Sequence, residues 1–527
     1  MSQPPSLPAV RALLRRRHLI LSRLLPAATA LLLLAGAPGT VLAESENDWF
    51  VPLGPPPKAA PKRIAGGESM PPLPLPATPL RRSERKKQPS APKLIGKVVW
   101  GETASFTYDG GGAAEVSDWN LCPGDLQALM SKGSRLLGTN YGADTVNLAS
   151  FNGDPEQLPV LFVSGTRTLR LSPEQFAGLR AYVLRGGMVV FDSVAGSPYF
   201  YDSVKSALAN AFPNDRLRPI PADHPLYHIA ADVDKVRFPR NNPSTKPELE
   251  GLYIGCRVGV LVSKFGLGCG WDEREVPLLP QAVYYDVDSA VRIGVNLVAY
   301  AIGYSHVGVE EAKPELFGAA DEKAPTDEFV FAQLVHEGAW NVHPGAAAAL
   351  LRQVNHDLAV RASLKRVAVD PARDDLGAFH FLYLTGLDDF SFSEKAAGAL
   401  RRFVDGGGTL VVNNGLGLKT FDSAVRRELG KVFPEVKLAP IPADHALFSS
   451  VFHLDAVRYT PAVLAAKPGL TAPVLEGIQV GGDLRVIYSP YDLEAGWSGC
   501  EYPLARAYDS DSALKLGMDL VMYAVTH

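Results

Sequence analysis

Two Asp-His pairs are the residues of this sequence whose types and spacing best suit acid-base chemistry or metal binding. The motif Ile-Pro-Ala-Asp-His occurs twice, and its pairs are Asp223-His224 and Asp444-His445. An aspartate next to a histidine can orient the imidazole ring for proton transfer or for a metal ion. However, adjacent residues of an extended segment point in opposite directions, and aspartate in a proline-containing turn commonly caps local backbone amides. The motif therefore favours a structural role and leaves a role in a site open.

Four residues of the second half are candidates for a catalytic centre that hydrolyses a substrate or uses a metal ion: His445, Asp444, Asp492 and Glu476. Such a centre requires that these side chains point into one cleft, within hydrogen-bonding reach of one another. If they lie separately in helix caps and turns, a role in binding or assembly is the better interpretation. Glu476 and its counterpart Glu250 each precede a glycine, and they suit a loop support and a cleft equally well.

Paired aspartates and two tryptophans each have a structural interpretation beside the functional one. The Asp-x-Asp pairs at 286–288 and 509–511 precede predicted helices, where aspartate satisfies free amides and complements the helix dipole. Helix capping is therefore the prediction for both pairs. Trp271 and Trp497 are of the type that stacks on sugar rings, but a tryptophan more commonly anchors a loop.

The sequence contains four cysteines, Cys122, Cys256, Cys269 and Cys500. No Cys-x-x-Cys motif occurs, so their spacing indicates no metal site, and we predict no cofactor. Four cysteines allow three full disulfide connectivities. Cys256 and Cys269 are the natural pair, because they flank a predicted strand and its turn, and buried free thiols are the alternative.

An internal duplication must position all of these residues. A shift of 221 residues places Trp119-Asn120 on Trp340-Asn341 and one Ile-Pro-Ala-Asp-His motif on the other. The match continues, with small gaps, to the end of each half. A period of this length is a domain duplication and not a solenoid repeat.

The second half alternates strands and helices. Its apolar run 379–384 is typical of a buried parallel strand. Ser393 then begins a predicted helix that ends near Asp405, and three glycines lead into a second buried strand at 409–413. Strand, helix and strand in this order imply a parallel sheet with helices on both faces.

The first half has the same pattern. Strands are predicted at 160–163 and 188–192, and the helix between them begins with a capping box formed by Ser172 and Gln175. Each half ends in a further helix, predicted at 289–302 and at 512–525.

Amino-acid composition distinguishes the N-terminal region and the segments that connect the domains. Arginines precede the apolar run 24–37, which is shorter than the roughly 20 residues of a bilayer span, and small residues up to Ala43 predict signal-peptide cleavage after Ala43. No other stretch has the composition of a membrane span. Twelve prolines between residues 44 and 93 indicate an extended tether.

The predicted organisation is a signal peptide over 1–43, a proline-rich disordered tether over 44–93, a first α/β domain over 94–305, a linker over 306–325 and a second α/β domain over 326–527.

The net charge of the chain and its predicted cellular compartment limit the classes of binding partner that we expect. The formal net charge of -4 gives no reason to expect a nucleic-acid partner. The signal peptide predicts export to the periplasm or beyond the cell, with no transmembrane segment in the mature chain. The basic segment 81–87 is interpreted as a solvated linker, with contact to an anionic envelope polymer as the alternative.

Many dispersed segments of the second half carry a family resemblance. They lie at 381–386, 393–394, 442–445, 475–478, 488–493 and 516–524. In this order they resemble the bacterial domain-of-unknown-function family numbered 4159. The first half resembles the same family more weakly, so that the resemblance extends over most of the chain.

The resemblance implies two tandem flavodoxin-like α/β domains, related to the class I glutamine amidotransferase superfamily, with mainly parallel sheets and helices on both faces. It implies no activity. Amidotransferase relatives carry a nucleophilic cysteine on a sharp turn after a strand. The equivalent turns here, 192–196 and 413–417, contain no cysteine, so glutamine amidase chemistry is not expected.

In such a sheet a ligand cleft lies beyond the carboxyl ends of the strands. The family has acidic residues after the strand that follows the glycine turn, whereas this chain has Asp192-Ser193 in one half and Asn413-Asn414 in the other. A site that needs those carboxylates is therefore in doubt in at least one copy. The candidate residues of the cleft are Asp192, Ser193, Asn413, Asn414, Asp389, Trp497, Trp271 and His224.

Two hypotheses from different classes remain. The first is an exported, non-catalytic module for binding or assembly in the bacterial envelope, with an envelope protein or polysaccharide as its partner. The tether, the duplication and the missing nucleophile favour it. The alternative is a hydrolase or metal-dependent enzyme that acts on envelope or extracellular carbohydrate or peptide and is active in the second copy.

Overall fold

The computed structural model describes residues 45–54, 91–312, 317–318 and 328–527, with only the backbone of 317–318. The predicted signal peptide, and most of the predicted tether and linker, lie outside the described residues. Trp49–His527 forms one compact unit that contains both repeats. We call residues 91–312 the first copy and residues 317–527 the second copy.

The first copy is built on a mixed, mostly parallel sheet. Its strands are β1 (Lys93–Val98), β2 (Thr103–Thr107), β3 (Ala113–Ser117), β4 (Gly142–Val146), β5 (Val160–Gly165), β6 (Met188–Ser193), β7 (Arg218–Pro219), β8 (Leu249–Ile254) and β9 (Arg257–Ser263). Seven of them form a sheet in the order β4-β1-β5-β6-β9-β8-β7, and β2 pairs with β3 in a separate hairpin. The first five strands of that order are parallel, and β8 is antiparallel to both of its neighbours. The parallel part has the flavodoxin-like order 2-1-3-4-5.

The second copy repeats this topology. Its strands are β10 (Phe317–Gly318), β11 (Ala332–Leu334), β12 (Arg366–Val369), β13 (Phe381–Gly386), β14 (Thr409–Asn414), β15 (Ala439–Pro440), β16 (Glu476–Val480) and β17 (Asp483–Ser489). The sheet order is β10-β12-β11-β13-β14-β17-β16-β15. Apart from β10, which is added at the edge, the order matches that of the first copy strand for strand. The predicted fold class, two α/β domains with mainly parallel sheets, is confirmed.

Helices cover both faces of each sheet. Those of the first copy are α1 (Asp125–Leu137), α2 (Pro173–Leu184), α3 (Pro198–Ala211), α4 (Gly268–Trp271) and α5 (Val287–Glu311). Those of the second copy are α6 (Ala346–Asp357), α7 (Glu394–Asp405), α8 (Lys419–Val432), α9 (Pro461–Ala466), α10 (Glu494–Ser498) and α11 (Ser510–Thr526). Alternate residues of a buried strand face opposite layers, so that Phe162 of β5 joins the core under α1 and α5 while Leu161 joins the core under α2 and α3. Among the described residues, no helix combines the length and apolarity that a membrane crossing requires.

The predicted helix starts are confirmed. Ser172 and Gln175 form the reciprocal hydrogen bonds of a capping box at α2, and the Ser393 side chain accepts the Ala396 amide at α7. Asp286 and Asp509 accept the amides of the residues three positions on, at the starts of α5 and α11. These carboxylates of the Asp-x-Asp pairs are therefore helix caps, as the sequence predicts.

Helix α5 runs nine residues beyond its predicted end at residue 302 and ends at Glu311. Its additional turns are held by tertiary burial, because Tyr304 and Val307 lie in the core. The Tyr304 hydroxyl also donates to the carbonyl of Pro503 in the second copy, at 2.9 Å. Local sequence signals did not predict this extension, since its support comes from tertiary contacts with both copies.

The first copy packs over the carboxyl ends of the strands of the second copy. Several apolar residues of the second copy belong to the core cluster of the first; they are Val342, Leu387, Leu416, Leu418, Ala495, Ala505 and Ala507. The interface between the copies is therefore a continuous hydrophobic core, which fixes how the repeats are oriented.

Asp519 on α11 and Asn296 on α5 occupy equivalent positions and make equivalent contacts. Asp519 Oδ1 accepts the amides of Val451 and Phe452 at 2.7 and 3.0 Å, but its Oδ2 is buried without a hydrogen-bond partner. Asn296 Oδ1 likewise accepts two loop amides, and its Nδ2 donates to the Ala231 carbonyl at 2.7 Å. Burial raises the pKa of Asp519 to about 6.

We expect Asp519→Asn to stabilise the protein, because the amide can donate where Oδ2 has no partner. The gain should be about 1–3 kcal/mol at neutral pH. The folded-state pKa lies above the unfolded value of about 3.9, so the wild-type protein loses stability relative to the variant as pH rises from about 4 to about 6. Urea unfolding between pH 3.5 and 8 measures this difference. The reverse substitution Asn296→Asp should destabilise over the same window, and a pH-independent difference would contradict the assignment.

Candidate functional site

The turn after the central strand of each copy holds a non-glycine residue with left-handed backbone. Ala195 follows β6 with φ 57° and ψ 10°, and Leu416 follows β14 with φ 53° and ψ 4°. A non-glycine residue in this left-handed region is strained by about 1–3 kcal/mol. A nucleophile elbow likewise presents its serine or cysteine on a sharp turn after a strand. The left-handed position here carries Ala195 in one copy and Leu416 in the other; neither side chain has a nucleophilic atom, and both are buried.

Beside the turn after β14, the carboxylate of Asp492 accepts four hydrogen bonds. Its Oδ2 accepts from His343 Nε2 and from the Leu416 amide, both at 2.7 Å. Its Oδ1 accepts from Asn413 Nδ2 at 2.9 Å and from the Ala495 amide at 3.2 Å. A buried carboxylate requires such a set of donors, and Asp492 has no solvent exposure.

His343 and Asp492 form a buried ion pair. Burial by itself lowers the pKa of His343, but Tyr502 and Asp492 raise it well above its ordinary value. Burial by itself raises the pKa of Asp492, and the charge and hydrogen bond of His343 hold it below its ordinary value. The neighbouring Glu494 is also fully buried, and desolvation raises its pKa to about 7. The strand ends of the second copy therefore hold three titratable groups in a dry environment.

The first copy has a different buried set at the equivalent place. Asp192, the counterpart of Asn413, accepts the amides of Leu267 and Gly268 at 2.8 and 2.9 Å. Burial raises its pKa to about 7, and the charge of Asp125 adds to this. Asp125 in turn pairs with Lys97, whose Nζ lies 2.7 Å from Oδ2. The two copies thus retain a carboxylate at the strand ends but take it from different strands.

The cysteines are arranged differently from the predicted pairing. The Sγ atoms of Cys122 and Cys269 lie 3.8 Å apart in the first copy. Cys256 instead contacts Glu311, with Sγ 3.4 Å from Oε1. All four cysteines are free thiols. The Cys256–Cys269 pairing is wrong because the β8–β9 turn places Cys256 at the interface between copies, whereas α4 places Cys269 at the opposite, carboxyl end of β9.

The carboxyl edge of the first copy is covered by a short segment of its own chain, Trp49 to Gly54. Thr166 Oγ1 donates to the Trp49 carbonyl at 2.9 Å, and the Arg167 guanidinium lies 3.8 Å from the centre of the Phe50 ring. Trp49 and Leu53 are buried in one cluster with Cys122 and Cys269. This part of the predicted tether packs because Trp49 and Leu53 bury apolar side chains against the first copy.

A groove of about 640 Å³ remains between the copies, at the point where the strand order of the second sheet reverses. This is the place where doubly wound folds bind ligands. The second copy contributes residues that follow β11, β12 and β13, and the first copy contributes the wall opposite. Its polar lining includes Arg216, Arg218, His336, Glu337, Asn341, Asp370, Ser391 and Ser393.

Burial lowers the pKa of two side chains in this groove, Arg218 and His336. Arg218 Nη1 is buried without a hydrogen-bond partner, and burial lowers the pKa of this guanidinium. His336 bonds the Thr385 carbonyl through Nε2 and accepts the Gly338 amide through Nδ1. Burial lowers the pKa of His336 to about 4, so this ring is neutral at pH 7.

The four candidate catalytic residues lie in separate local structures, and no hydrogen bond among the described residues joins any two of them. His445 Nδ1 accepts the Leu447 amide at 3.1 Å, and Asp444 is exposed. Glu476 forms two 2.8 Å hydrogen bonds with Arg426. Asp492 belongs to the buried cluster with His343 described above.

The Asp-His pair of the first copy has two structural contacts. His224 Nδ1 accepts the Leu226 amide at 3.2 Å, and burial lowers the pKa of His224 to about 3. Asp223 accepts the Lys419 amide and, at 2.9 Å, the Thr420 hydroxyl at the start of α8 in the other copy. The histidine and not the aspartate therefore caps the local turn, and Asp223 caps a helix across the interface.

The remaining cleft candidates are mostly buried. Trp271 and Trp497 donate through Nε1 to the carbonyls of Ala290 and Ala513 and pack inside the two cores. Both therefore anchor the α4 and α10 segments and are not available to stack on a sugar. Ser193 is buried without a partner for Oγ. Asn414 donates to the Leu418 carbonyl at 3.1 Å, and exposed Asp389 pairs with Arg427 at 2.7 Å.

Sequence reasoning missed His343, Glu494, His336 and Arg218. A signal for His343 was present, because the 221-residue shift aligns it with Cys122, and two residues of reactive type at one repeat position deserve comparison. Glu494 stands where the first copy has Gly268, which no motif marks. His336 and Arg218 gain their setting only from the packing of one copy on the other.

Comparison with known families gives one result. The sequence model of the family described as Domain of unknown function (DUF4159) matches residues 107–302 and 330–525. No curated protein matches the chain.

Asp223→Ala should weaken the contact between the copies, because it removes the cap of α8. We expect a loss of about 1 kcal/mol in urea unfolding and faster hydrogen exchange at the amides of Lys419 and Thr420. Asp444→Ala is the matched control from the second copy and should have little effect, since Asp444 is exposed. Equal losses from both substitutions would contradict the proposed cap.

Oxidation should join Cys122 to Cys269, because their sulfurs are already in contact inside one cluster. Peptide mapping under mild oxidant should find this disulfide, which closes a long loop and should add about 2–4 kcal/mol to the free energy of unfolding. Cys122→Ser should abolish both effects, whereas Cys500→Ser should leave them unchanged. A disulfide between Cys256 and Cys269 would overturn the arrangement described above.

Proposed function

The chain belongs to the DUF4159 family in both of its repeats, and from this premise we propose that it is an exported, non-catalytic module for binding or assembly in the bacterial envelope. One observation carries the proposal. Ala195 and Leu416 hold the left-handed positions of the turns after β6 and β14, and neither side chain has a nucleophilic atom. The turn that holds a nucleophile in other folds here holds apolar side chains of the core.

The roles of the candidate catalytic residues also support a non-catalytic function. His445 caps a turn, Glu476 pairs with Arg426, and Asp492 is buried beneath the first copy. An active centre needs such groups aimed at one accessible point. The carboxyl edges of both sheets are instead covered, by the first copy in one case and by the segment Trp49 to Gly54 in the other.

We propose the groove between the copies as the binding site. Its volume of about 640 Å³ lies within the range of about 300–1,000 Å³ that is common for ligand pockets. Arg218 Nη1 supplies a buried donor without a partner, and a bound carboxylate or hydroxyl oxygen would satisfy it. The chemistry fits an oxygen-rich envelope polymer, such as a polysaccharide or a peptide-bearing glycan. Because both copies line the groove, a ligand there also reinforces the interface.

The enzymatic alternative has one specific observation in its favour. His343, Asp492 and Glu494 are titratable groups with shifted pKa values at the strand ends of the second copy, and such shifts are common in active sites. The proposed relation to the class I glutamine amidotransferase superfamily rests on the same part of the fold. The alternative requires that the first copy move away to expose this cluster.

A thermal-shift series on the full chain tests the binding proposal. Muropeptide and envelope-polysaccharide fragments serve as probes, because a ligand that binds only the folded state stabilises it by about 2.7 kcal/mol at 100 times its Kd. We expect at least one probe to raise the Tm. Arg218→Ala should remove most of this shift, and Arg458→Ala, which replaces an exposed arginine far from the groove lining, should retain it.

The same probes separate the two hypotheses. Under the binding hypothesis the full chain leaves the fragments chemically unchanged, as measured by mass spectrometry after long incubation. Turnover that His343→Ala abolishes would establish the enzymatic alternative. A Tm shift that is insensitive to Arg218→Ala would place the binding site outside the groove.

A further inference from the structure

Three side chains of metal-ligand type meet inside the interface between the copies. Cys256 lies in the β8–β9 turn, Glu311 ends helix α5, and His343 precedes helix α6. One ligand atom from each residue lies within 4.8 Å of the other two, and all three residues are buried. Two of them come from the first copy and the third from the second copy. The cluster is therefore a property of the assembled interface.

The measured separations suit a single ion. Cys256 Sγ lies 3.4 Å from Glu311 Oε1, and His343 Nδ1 lies 3.6 Å from the same oxygen. Ligands at the usual zinc distances of about 2.0–2.3 Å in a tetrahedron are about 3.4–3.8 Å apart. Two of the three separations therefore match those between ligands of one ion, and the third lies within 4.8 Å.

Two polar atoms of this cluster have no hydrogen-bond partner. They are His343 Nδ1 and Glu311 Oε2. An unsatisfied buried polar group costs about 1–3 kcal/mol, so a protein seldom retains two beside each other without compensation. A cation between these atoms would satisfy both, with the carboxylate of Glu311 bound through one oxygen or through both.

The other ring nitrogen of His343 already has a hydrogen-bond partner. His343 Nε2 bonds Asp492 Oδ2 at 2.7 Å, which fixes the ring and directs Nδ1 at Glu311 and Cys256. A carboxylate behind a ligating histidine is the usual second partner in metal sites, where it orients the ring and increases its basicity. Asp492 is thus a positioning residue for the cluster.

We propose that Cys256, Glu311 and His343 form a binding site for a divalent transition-metal ion of the zinc class, which clips the two copies together. The mixed sulfur, nitrogen and oxygen set selects zinc-class ions over magnesium and calcium, which prefer oxygen ligands alone. Binding breaks the S–H bond of Cys256 and the Nδ1–H bond of the protonated His343, and no other covalent bond of the chain. The thiol proton of Cys256 and any proton on His343 Nδ1 pass to solvent as the metal bonds form.

The charges around the site are consistent with a bound dication. Glu311, Asp492 and the thiolate of Cys256 contribute three negative charges, and the buried Arg257 beside Glu311 contributes one positive charge. A bound dication would offset this net negative charge, which burial in an apolar interface disfavours. This inference is independent of the proposed envelope function, because it concerns how the copies are joined.

Metal binding by the full chain tests the proposal. Protein stripped with a chelator during unfolding and refolded with Zn²⁺ should retain one ion per chain after dialysis, as measured by elemental analysis, and should unfold at a higher temperature than the metal-free form. Cys256→Ser should lower the affinity at least 100-fold. Cys500→Ser and His445→Ala, which replace a cysteine and a histidine outside the cluster, should bind as the wild-type protein does.

Cobalt gives a readout that does not depend on comparing variant stabilities. Refolding of the wild-type protein with Co²⁺ should produce a thiolate-to-cobalt charge-transfer band in the near ultraviolet and intense visible bands of a tetrahedral ion. Cys256→Ser should lack the former band, and Cys122→Ser should keep it. Wild-type protein that retains no Co²⁺ or Zn²⁺ after dialysis, or a charge-transfer band that survives Cys256→Ser, would overturn the assignment.

Discussion

The burial of the Asp492 carboxylate between the copies is the constraint on which much of this structure depends. A charged oxygen pair without solvent must be surrounded by donors, and four converge on it, from His343, Asn413 and two backbone amides. These donors hold the turn after β14, the start of α10 and the segment before α6 in one arrangement. The first copy then covers this arrangement with apolar residues, which makes its polar contacts stronger than they would be in water.

The two copies each bury a carboxylate at the ends of their strands, but they use different residues and different hydrogen-bond donors. The first copy uses Asp192 at the end of β6, with two backbone amides as donors. The second copy has Asn413 at the equivalent position. Its buried carboxylate is that of Asp492, in the loop after β17. The donors differ accordingly, since Leu267 and Leu493 donate equivalent amides to a carboxylate in one case and to a side-chain amide in the other. Divergence at the strand ends has left the sheet order unchanged.

Covering of the strand ends connects fold and function. A doubly wound sheet offers its carboxyl edge to ligands, yet here the first copy packs over that edge of the second copy, beside the groove near Arg218 and His336. The same contact brings Cys256 and Glu311 to His343. The interface between the copies, and not either copy alone, therefore creates both the proposed ligand groove and the proposed metal site.

The sequence by itself determined the duplication, the α/β class and the helix caps, because these depend on local patterns: apolar runs, glycine stops, and Ser172, Ser393, Asp286 and Asp509 at helix starts. It also identified the two tandem family domains. Only the tertiary structure decided that Cys122 contacts Cys269, that Asp223 caps α8 and that His343 meets Cys256 and Glu311. Those contacts join residues about 30 to 200 positions apart. The Cys122–Cys269 contact lies within one copy, and the other two depend on how the copies pack, on which chain spacing carries no information. The packing follows from the shape and apolarity of whole surfaces, which exist only after each copy has folded.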